Sequence, residues 1–178
     1  GGGAGSSIGE GQAVIAEGNL TLNTSGLSNG NVYKWNLVSS EAVTSSNTLT
    51  INGNGTPTFG GDINYTGNIV VSSPTGVAIN FTGDIQAGSF KVAHYYGDLY
   101  MVGNTVNVGS LFAGAGGAYD NNLMGTISLE DGNVTNAEQV RLAELGHGVL
   151  NVKQGAVLNV TGNNNQHATA ASFLLGHW

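Results

Sequence analysis

Three aspartates carry the spacing that most resembles a catalytic or metal-binding set. Asp62 and Asp84 each lie between a glycine and an isoleucine, and Asp98 follows further along the chain. Equivalent positions of a repeat stack, so these carboxylates could bind Ca²⁺ or provide the acid and base of a sugar-cleaving enzyme, which are about 5–10 Å apart. Gly-Asp pairs also mark tight turns in which the carboxylate accepts backbone N–H groups. We favour this structural role.

Histidine and arginine give weaker indications of a site. His147 and His177 each end a Leu-Gly-His triplet, which predicts equivalent repeat positions. Zinc needs three or four ligands, no third ligand follows this spacing, and the chain has no cysteine. Arg141, the only arginine, lies three residues from both Glu138 and Glu144, which favours a surface ion pair. We therefore assign no catalytic residue, no metal and no cofactor.

Tyrosines form one candidate contact surface. Tyr95, Tyr96 and Tyr100 lie close together in the chain, beside Asp98. Exposed tyrosine is favoured at recognition surfaces because it offers a large contact area with little side-chain entropy to lose. The structural alternative is a loop whose tyrosines lie on neighbouring strands.

Composition restricts the scaffold that positions these residues. Gly, Asn, Thr and Ser account for 81 of the 178 residues, and these types are unfavourable inside helices. Four Lys and Arg residues against eleven Asp and Glu give a net charge of −7, which excludes a basic nucleic-acid binder. Hydrophobic residues make up 40%, enough for a packed core. No apolar run approaches the roughly 20 residues of a membrane-spanning helix, so we expect no membrane insertion.

Apolar residues alternate with polar ones at the period of a half-buried strand. The clearest repeat is GVLNVKQG at 148–155, followed directly by AVLNVTG at 156–162, and GTISLEDG at 125–132 has the same frame. Residues 135–145 also have the capping-box form of a short helix. We nevertheless predict a strand over Gln139–Ala143, because it precedes Leu-Gly-His as Ser172–Leu174 precedes the second copy.

These features predict an all-β fold, a parallel β-helix with roughly eight rungs of about 22 residues. Each rung is too small to bury its own apolar face, and stacked neighbours bury it together. A β-sandwich or jelly roll is the alternative, but its strands have no need to resemble one another. We predict that residues 1–17 form a flexible N-terminal segment or cap. Residues 18–178 then form the solenoid, as a fragment of a longer repeat array.

The repeat frames GVLNVKQGAVLNVTG, GTISLEDGNV, GNLTLNTSG and NTLTINGNG resemble the repeats of autotransporter passenger domains. This resemblance implies a right-handed β-solenoid that is secreted across the Gram-negative outer membrane and displayed at the cell surface. It also implies a non-enzymatic module for adhesion or self-association, with another copy or a host or cell-surface ligand as partner. The alternatives are a polysaccharide-acting β-helix enzyme, either lyase or hydrolase, and a self-assembling extracellular fibre subunit.

The C-terminal run provides a candidate stacking edge. Phe173, Leu174 and Trp178 belong to an apolar segment without proline or a charged side chain. Unpaired strand edges recruit other chains unless a cap, a charge or a proline blocks them. We therefore expect that the chain either ends artificially or stacks head to tail through this rung.

Overall fold

The chain coils into an all-β solenoid of parallel strands, which confirms the predicted fold class. The computed structural model describes residues 13–27, 32–72, 78–93, 96–115, 124–144, 147–162 and 173–177. Two sheets, which we call sheet A and sheet B, contain ten and six strands. None of the residues described is helical.

Sixteen strands of the described residues form the two sheets. Sheet B contains, in spatial order, β3 (Val32–Tyr33), β6 (Thr58–Phe59), β8 (Ala78–Phe81), β10 (Tyr96–Met101), β12 (Met124–Leu129) and β14 (His147–Val152). Sheet A contains β1 (Ala13–Ala16), β2 (Leu20–Asn23), β4 (Asn36–Ser39), β5 (Thr48–Asn52), β7 (Ile63–Val71), β9 (Ile85–Ala93), β11 (Thr105–Ala115), β13 (Val134–Glu144), β15 (Val157–Val160) and β16 (Phe173–His177).

Each complete coil has three strand segments, which we call faces 1, 2 and 3. Face 3 is sheet B. The first parts of β7, β9, β11 and β13 form face 1 together with β1, β4 and β15, and their last parts form face 2 together with β2, β5 and β16. Gly67, Gly88 and Gly109 lie between the two faces, where the pairing of β7 with β9 shifts register. A Cβ on Gly109 would lie 2.6 Å from the Gly88 carbonyl oxygen, so the close stacking requires glycine.

Inward side chains at equivalent positions form continuous apolar columns. They are Leu37, Ile63, Ile85 and Val106 on face 1; Leu49, Ile69, Phe90, Leu111 and Val140 on face 2; and Phe59, Phe81, Met101 and Leu129 on face 3, all buried. The Phe81 ring connects two columns, with its centroid 5.5 Å from that of Phe59 and 5.7 Å from that of Phe90. Full burial of each such side chain contributes about 1.5–3 kcal/mol.

Polar groups inside the solenoid are satisfied by residues of the neighbouring coil. At the corner between faces 3 and 1, Asn104 Nδ2 donates to the Gly83 carbonyl at 2.8 Å. One coil later, Asn133 Nδ2 donates to Asn104 Oδ1 at 2.9 Å, and the Thr135 hydroxyl donates to Asn133 Oδ1 at 2.7 Å. All three side chains are buried. We call this set the inner corner ladder.

The solenoid makes about five turns, and the prediction of eight rungs was wrong. Within the described residues, sheet B has one strand per coil, and its six strands delimit five full turns. Coil length along face 1 is not constant, because the coil from Ile85 to Val106 is shorter than the coil from Val106 to Thr135. The prediction had divided the whole chain into equal coils, although longer connections and terminal segments also use residues.

Some repeats predicted the coil register correctly and others did not. Ile63 pairs with Ile85, and Gly125 pairs with Gly148, as the repeat spacing indicated. The Leu-Gly-His triplets are not equivalent, because His177 pairs with Glu144, three positions before His147. The two VLNV segments are also not stacked: they are the consecutive strands β14 and β15, on faces 3 and 1.

Two local predictions can be compared with the strands. Gln139–Ala143 lies within β13, which confirms a strand in place of the competing helix. Strand β1 pairs with β4, although it lies within the segment 1–17 that was predicted to be a flexible segment or cap. Of that segment, residues 1–12 lie outside the described residues.

The inner corner ladder predicts a large cost for losing one member. Asn133→Ala removes three side-chain hydrogen bonds and leaves buried groups of Asn104 and Thr135 without that partner. We expect the free energy of unfolding to fall by about 2–4 kcal/mol. The matched control is Asn136→Ala, which removes the exposed amide that bonds Asn107 and Asn159 and should cost less than about 1 kcal/mol. Equal losses in chemical denaturation would contradict a special role for the buried ladder.

Candidate functional site

The two equivalent aspartates bind the backbone of the next coil. The Asp84 N–H donates to Asp62 Oδ1 at 2.9 Å, and the Thr105 N–H donates to Asp84 Oδ1 at 2.8 Å. The Asp62 N–H in turn donates to Asn36 Oδ1 at 2.8 Å. These contacts form an outer corner ladder where face 1 begins. Each carboxylate therefore accepts a backbone N–H group, as the structural interpretation of the Gly-Asp pairs expected, but the donor belongs to the following coil and not to the same turn.

Asp98 lies on face 3, in a polar cluster with Tyr100. The Tyr100 hydroxyl donates a hydrogen bond to Asp98 Oδ2 at 3.5 Å. Lys153 Nζ lies 5.8 Å from the centroid of the Tyr100 ring. Lys153 also forms an ion pair with Glu130 at 2.7 Å. Burial, followed by the negative charge of Asp98, raises the pKa of the Tyr100 hydroxyl above its ordinary value, whereas Lys153 lowers it. We call these four residues the Tyr100 cluster.

The aspartates and histidines that the sequence offered as possible metal ligands lie on different faces. Asp62 and Asp84 begin face 1, whereas Asp98 lies on sheet B. His147 lies at the start of β14 on face 3, and His177 lies in β16 on face 2. In the part of the chain that the structure describes, no group of three His, Asp or Glu side chains is arranged to hold a metal ion.

The predicted tyrosine surface is placed only in part. Tyr100 is half-buried on β10, and its backbone pairs with Asn80 on one side and Ser128 on the other. The backbone of Tyr96 begins β10 and pairs with Met124. Tyr95 lies outside the described residues. A tyrosine contact surface therefore stays a prediction.

The C-terminal coil, β14 to β16, has inward positions that are largely open. Val152, Phe173 and Leu175 are 48%, 45% and 67% exposed. Their register partners one coil earlier include Leu129 and Val140, which are fully buried. Leu174, also predicted at this edge, pairs with Arg141, and Trp178 lies outside the described residues.

Face 2 carries a shallow groove that no sequence motif indicated. It encloses about 360 Å³ and is lined by four hydroxyl or amide side chains, Thr48, Asn68, Ser89 and Ser110, together with Val70, Gly88, Lys91 and Phe112. Lys91 Nζ lies 4.8 Å from the centroid of the Phe112 ring. Arg141, for which the sequence favoured a surface ion pair, has its Cζ 5.7 Å from the same centroid. The three residues belong to coils of unequal length, so only the register brings them together.

Comparisons with known proteins give no relative, so a functional assignment rests on the fold and on the surfaces described above. No protein-family model matches the chain, and no match was found among curated proteins or solved structures. Within the stretches of chain described above, no helix is long and apolar enough to cross a membrane.

The Tyr100 cluster predicts that the Tyr100 hydroxyl titrates at alkaline pH. Two substitutions should shift the midpoint of this titration in opposite directions. We expect Tyr100 to ionise above pH 10.0, measured as the ultraviolet difference between wild type and Tyr100→Phe. Asp98→Asn should lower this midpoint because it removes a negative charge, and Lys153→Gln should raise it because it removes a positive one.

The raised pKa of Tyr100 also has a consequence for stability. Its contribution is fully present below the unfolded-state pKa of about 10 and is lost as pH rises through the folded-state pKa. Tyr100→Phe should therefore reduce the loss of stability above about pH 10.

In the titration experiment, shifts of the midpoint in the same direction for Asp98→Asn and Lys153→Gln would contradict the arrangement of the Tyr100 cluster.

Proposed function

We propose that this chain is part of a right-handed β-solenoid displayed at a bacterial cell surface, where it acts by adhesion or self-association and without catalysis. The observation that carries the proposal is the parallel stacking itself: Val140 is buried between Leu111 and Phe173 of the neighbouring coils, and the inward positions of the last described coil offer the same contact to a further coil. The right-handed sense is supported by the strong preference of parallel crossover connections for that hand. The repeats that resemble autotransporter passengers support the extracellular location.

The two ends of the described solenoid are complementary in a way that supports self-association. Strands β14, β15 and β16 form one edge, and β1, β2 and β3 form the other. Both edges present inward apolar side chains, with Val14, Leu20 and Leu22 half-buried at the N-terminal edge. Parallel stacking can therefore continue from the C-terminal coil of one copy to the N-terminal coil of the next. Such a contact is heterologous and propagates along one axis.

The carboxylates support a non-enzymatic role over the alternative of a polysaccharide-acting enzyme. One oxygen each of Asp62 and Asp84 already accepts a backbone N–H of the following coil. Asp98 lies on another face, where it accepts from Tyr100. The partners that we propose are a second copy of this chain or a ligand on a host or neighbouring cell.

Self-association through the C-terminal coil predicts sensitivity to a charge at its inward positions. Leu175→Lys places an ammonium group where an apolar contact is expected, and burying it without a partner is strongly unfavourable. We expect the concentration needed for half-association to rise at least roughly tenfold in sedimentation velocity. Gln86→Lys is the matched control, because it adds the same charge at an exposed position of an inner coil.

The outcomes separate an edge effect from a general effect of charge. Circular dichroism should show the same β-structure for both variants and for wild type. A wild-type chain that stays monomeric at high concentration would overturn self-association through this edge. Equal effects of Leu175→Lys and Gln86→Lys would assign the association to another surface.

A further inference from the structure

The groove on face 2 is lined by Lys91, and Arg141 lies beside it on the next strand, although the chain is strongly acidic. The chain has four Lys and Arg residues against eleven Asp and Glu. Lys91 on β9 and Arg141 on β13 nevertheless flank Phe112 on the intervening strand β11. Their cationic groups lie 4.8 and 5.7 Å from the ring centroid, within the range of cation–π attraction. The ring thus fixes two positive charges on one surface.

The spacing of these charges follows from the coil repeat. Adjacent strands of a sheet are about 4.8 Å apart, so the backbones of Lys91 and Arg141 are separated by about 10 Å along the solenoid axis. No described carboxylate forms an ion pair with Lys91. An elongated ligand with repeated negative charges that lies along the axis can contact Lys91 in the groove and pass through the positive field of Arg141 beside it.

Hydroxyl and amide groups line the groove beside the two cations. Thr48, Asn68, Ser89 and Ser110 belong to four successive coils at equivalent positions. The Ser89 hydroxyl donates to Asn68 Oδ1 at 2.7 Å, so the two side chains orient one another. Gly88 also lines the groove, and a Cβ there would lie 3.1 Å from the Gly67 carbonyl oxygen of the neighbouring coil. Hydroxyl and amide groups both donate and accept hydrogen bonds, as sugar hydroxyls do.

We propose that this groove binds an acidic polysaccharide, with a carboxylate of the sugar chain paired with Lys91, further carboxylates attracted by the positive charge of Arg141, and sugar hydroxyls bonded to the polar side chains of the groove. Lysine recognises a carboxylate as a point charge. The groove is therefore the adhesive surface of the solenoid, and the assignment rests on the adhesion part of the proposed function.

The geometry favours a polysaccharide over an acidic peptide. An extended peptide commonly binds by adding a strand to a free sheet edge and placing alternate side chains in pockets. The groove lies over β7, β9 and β11, each of which is already paired with strands on both sides. Its floor offers side-chain hydroxyl and amide groups in place of a free backbone edge.

Binding of polygalacturonate, in which every sugar carries a carboxylate, tests the proposal by titration calorimetry. We expect wild type to bind it in dilute buffer and to bind more weakly as salt is added, because ionic strength screens exposed charges. Fully methyl-esterified polygalacturonate, which lacks the charge, should bind at least roughly tenfold more weakly. Poly-glutamate, a peptide polyanion, should also bind more weakly.

Four variants locate the binding. Lys91→Gln should weaken polygalacturonate binding about tenfold, and Phe112→Leu should weaken it less, because both cations remain but lose the ring that positions them. Lys153→Gln is the matched control, because it removes one positive charge from face 3, and it should leave the affinity within about twofold. Leu175→Lys should bind normally even if it no longer self-associates, which separates this proposal from stacking at the edge.

Several results would overturn the acidic-polysaccharide groove. One is that wild type does not bind polygalacturonate, and another is that it binds the methyl ester as tightly as polygalacturonate. The third is that Lys91→Gln and Lys153→Gln lose the same affinity for polygalacturonate. Poly-glutamate binding as tight as polygalacturonate would show a general anion site instead. Circular dichroism of each variant identifies any that has unfolded, and the comparison of ligands on the wild-type chain needs no variant.

Discussion

Parallel stacking of coils in register is the constraint on which the rest of this structure depends. A single coil has no core of its own, so an inward side chain is buried by the residues at its position in the neighbouring coils. The column Leu49, Ile69, Phe90, Leu111 and Val140 shows this arrangement along face 2. The same constraint explains why Phe173, in the last coil that the structure describes, is exposed, whereas Val140, between two described coils, is buried.

The corner between faces 3 and 1 shows how polar residues meet this constraint. On the inside, the buried side chains of Asn104 and Asn133 each donate a hydrogen bond to the preceding coil. On the outside, Asp62 and Asp84 accept backbone N–H groups of the following coil. Buried polar groups are costly without partners, and in this fold the repeat itself supplies the partner. Asp62 and Asp84 therefore join neighbouring coils through hydrogen bonds to the backbone.

The alternation of apolar and polar residues allowed the strands to be predicted. The register between coils was predictable only where both the hydrogen-bond ladder and the core require particular residues at the same place. Gly-Asp-Ile gave the correct spacing, because the ladder needs aspartate and the core needs isoleucine at each copy. Leu-Gly-His did not, because His177 pairs with Glu144 and the two triplets are three positions out of phase. The Lys91, Phe112 and Arg141 column was not predictable, since its members differ in type and lie in coils of unequal length.

The orientation of the hydrogen bonds between coils has a mechanical consequence. In a parallel stack these bonds run along the solenoid axis. A force that pulls the two ends apart therefore separates the outermost coil from its neighbour, and it acts on the hydrogen bonds between only two coils at a time. Each coil that detaches releases its whole length of chain, roughly 70–100 Å of extension at about 3.3–3.6 Å per residue. A tether of this kind lengthens stepwise under load while the remaining coils keep their side-chain columns and lateral surfaces intact.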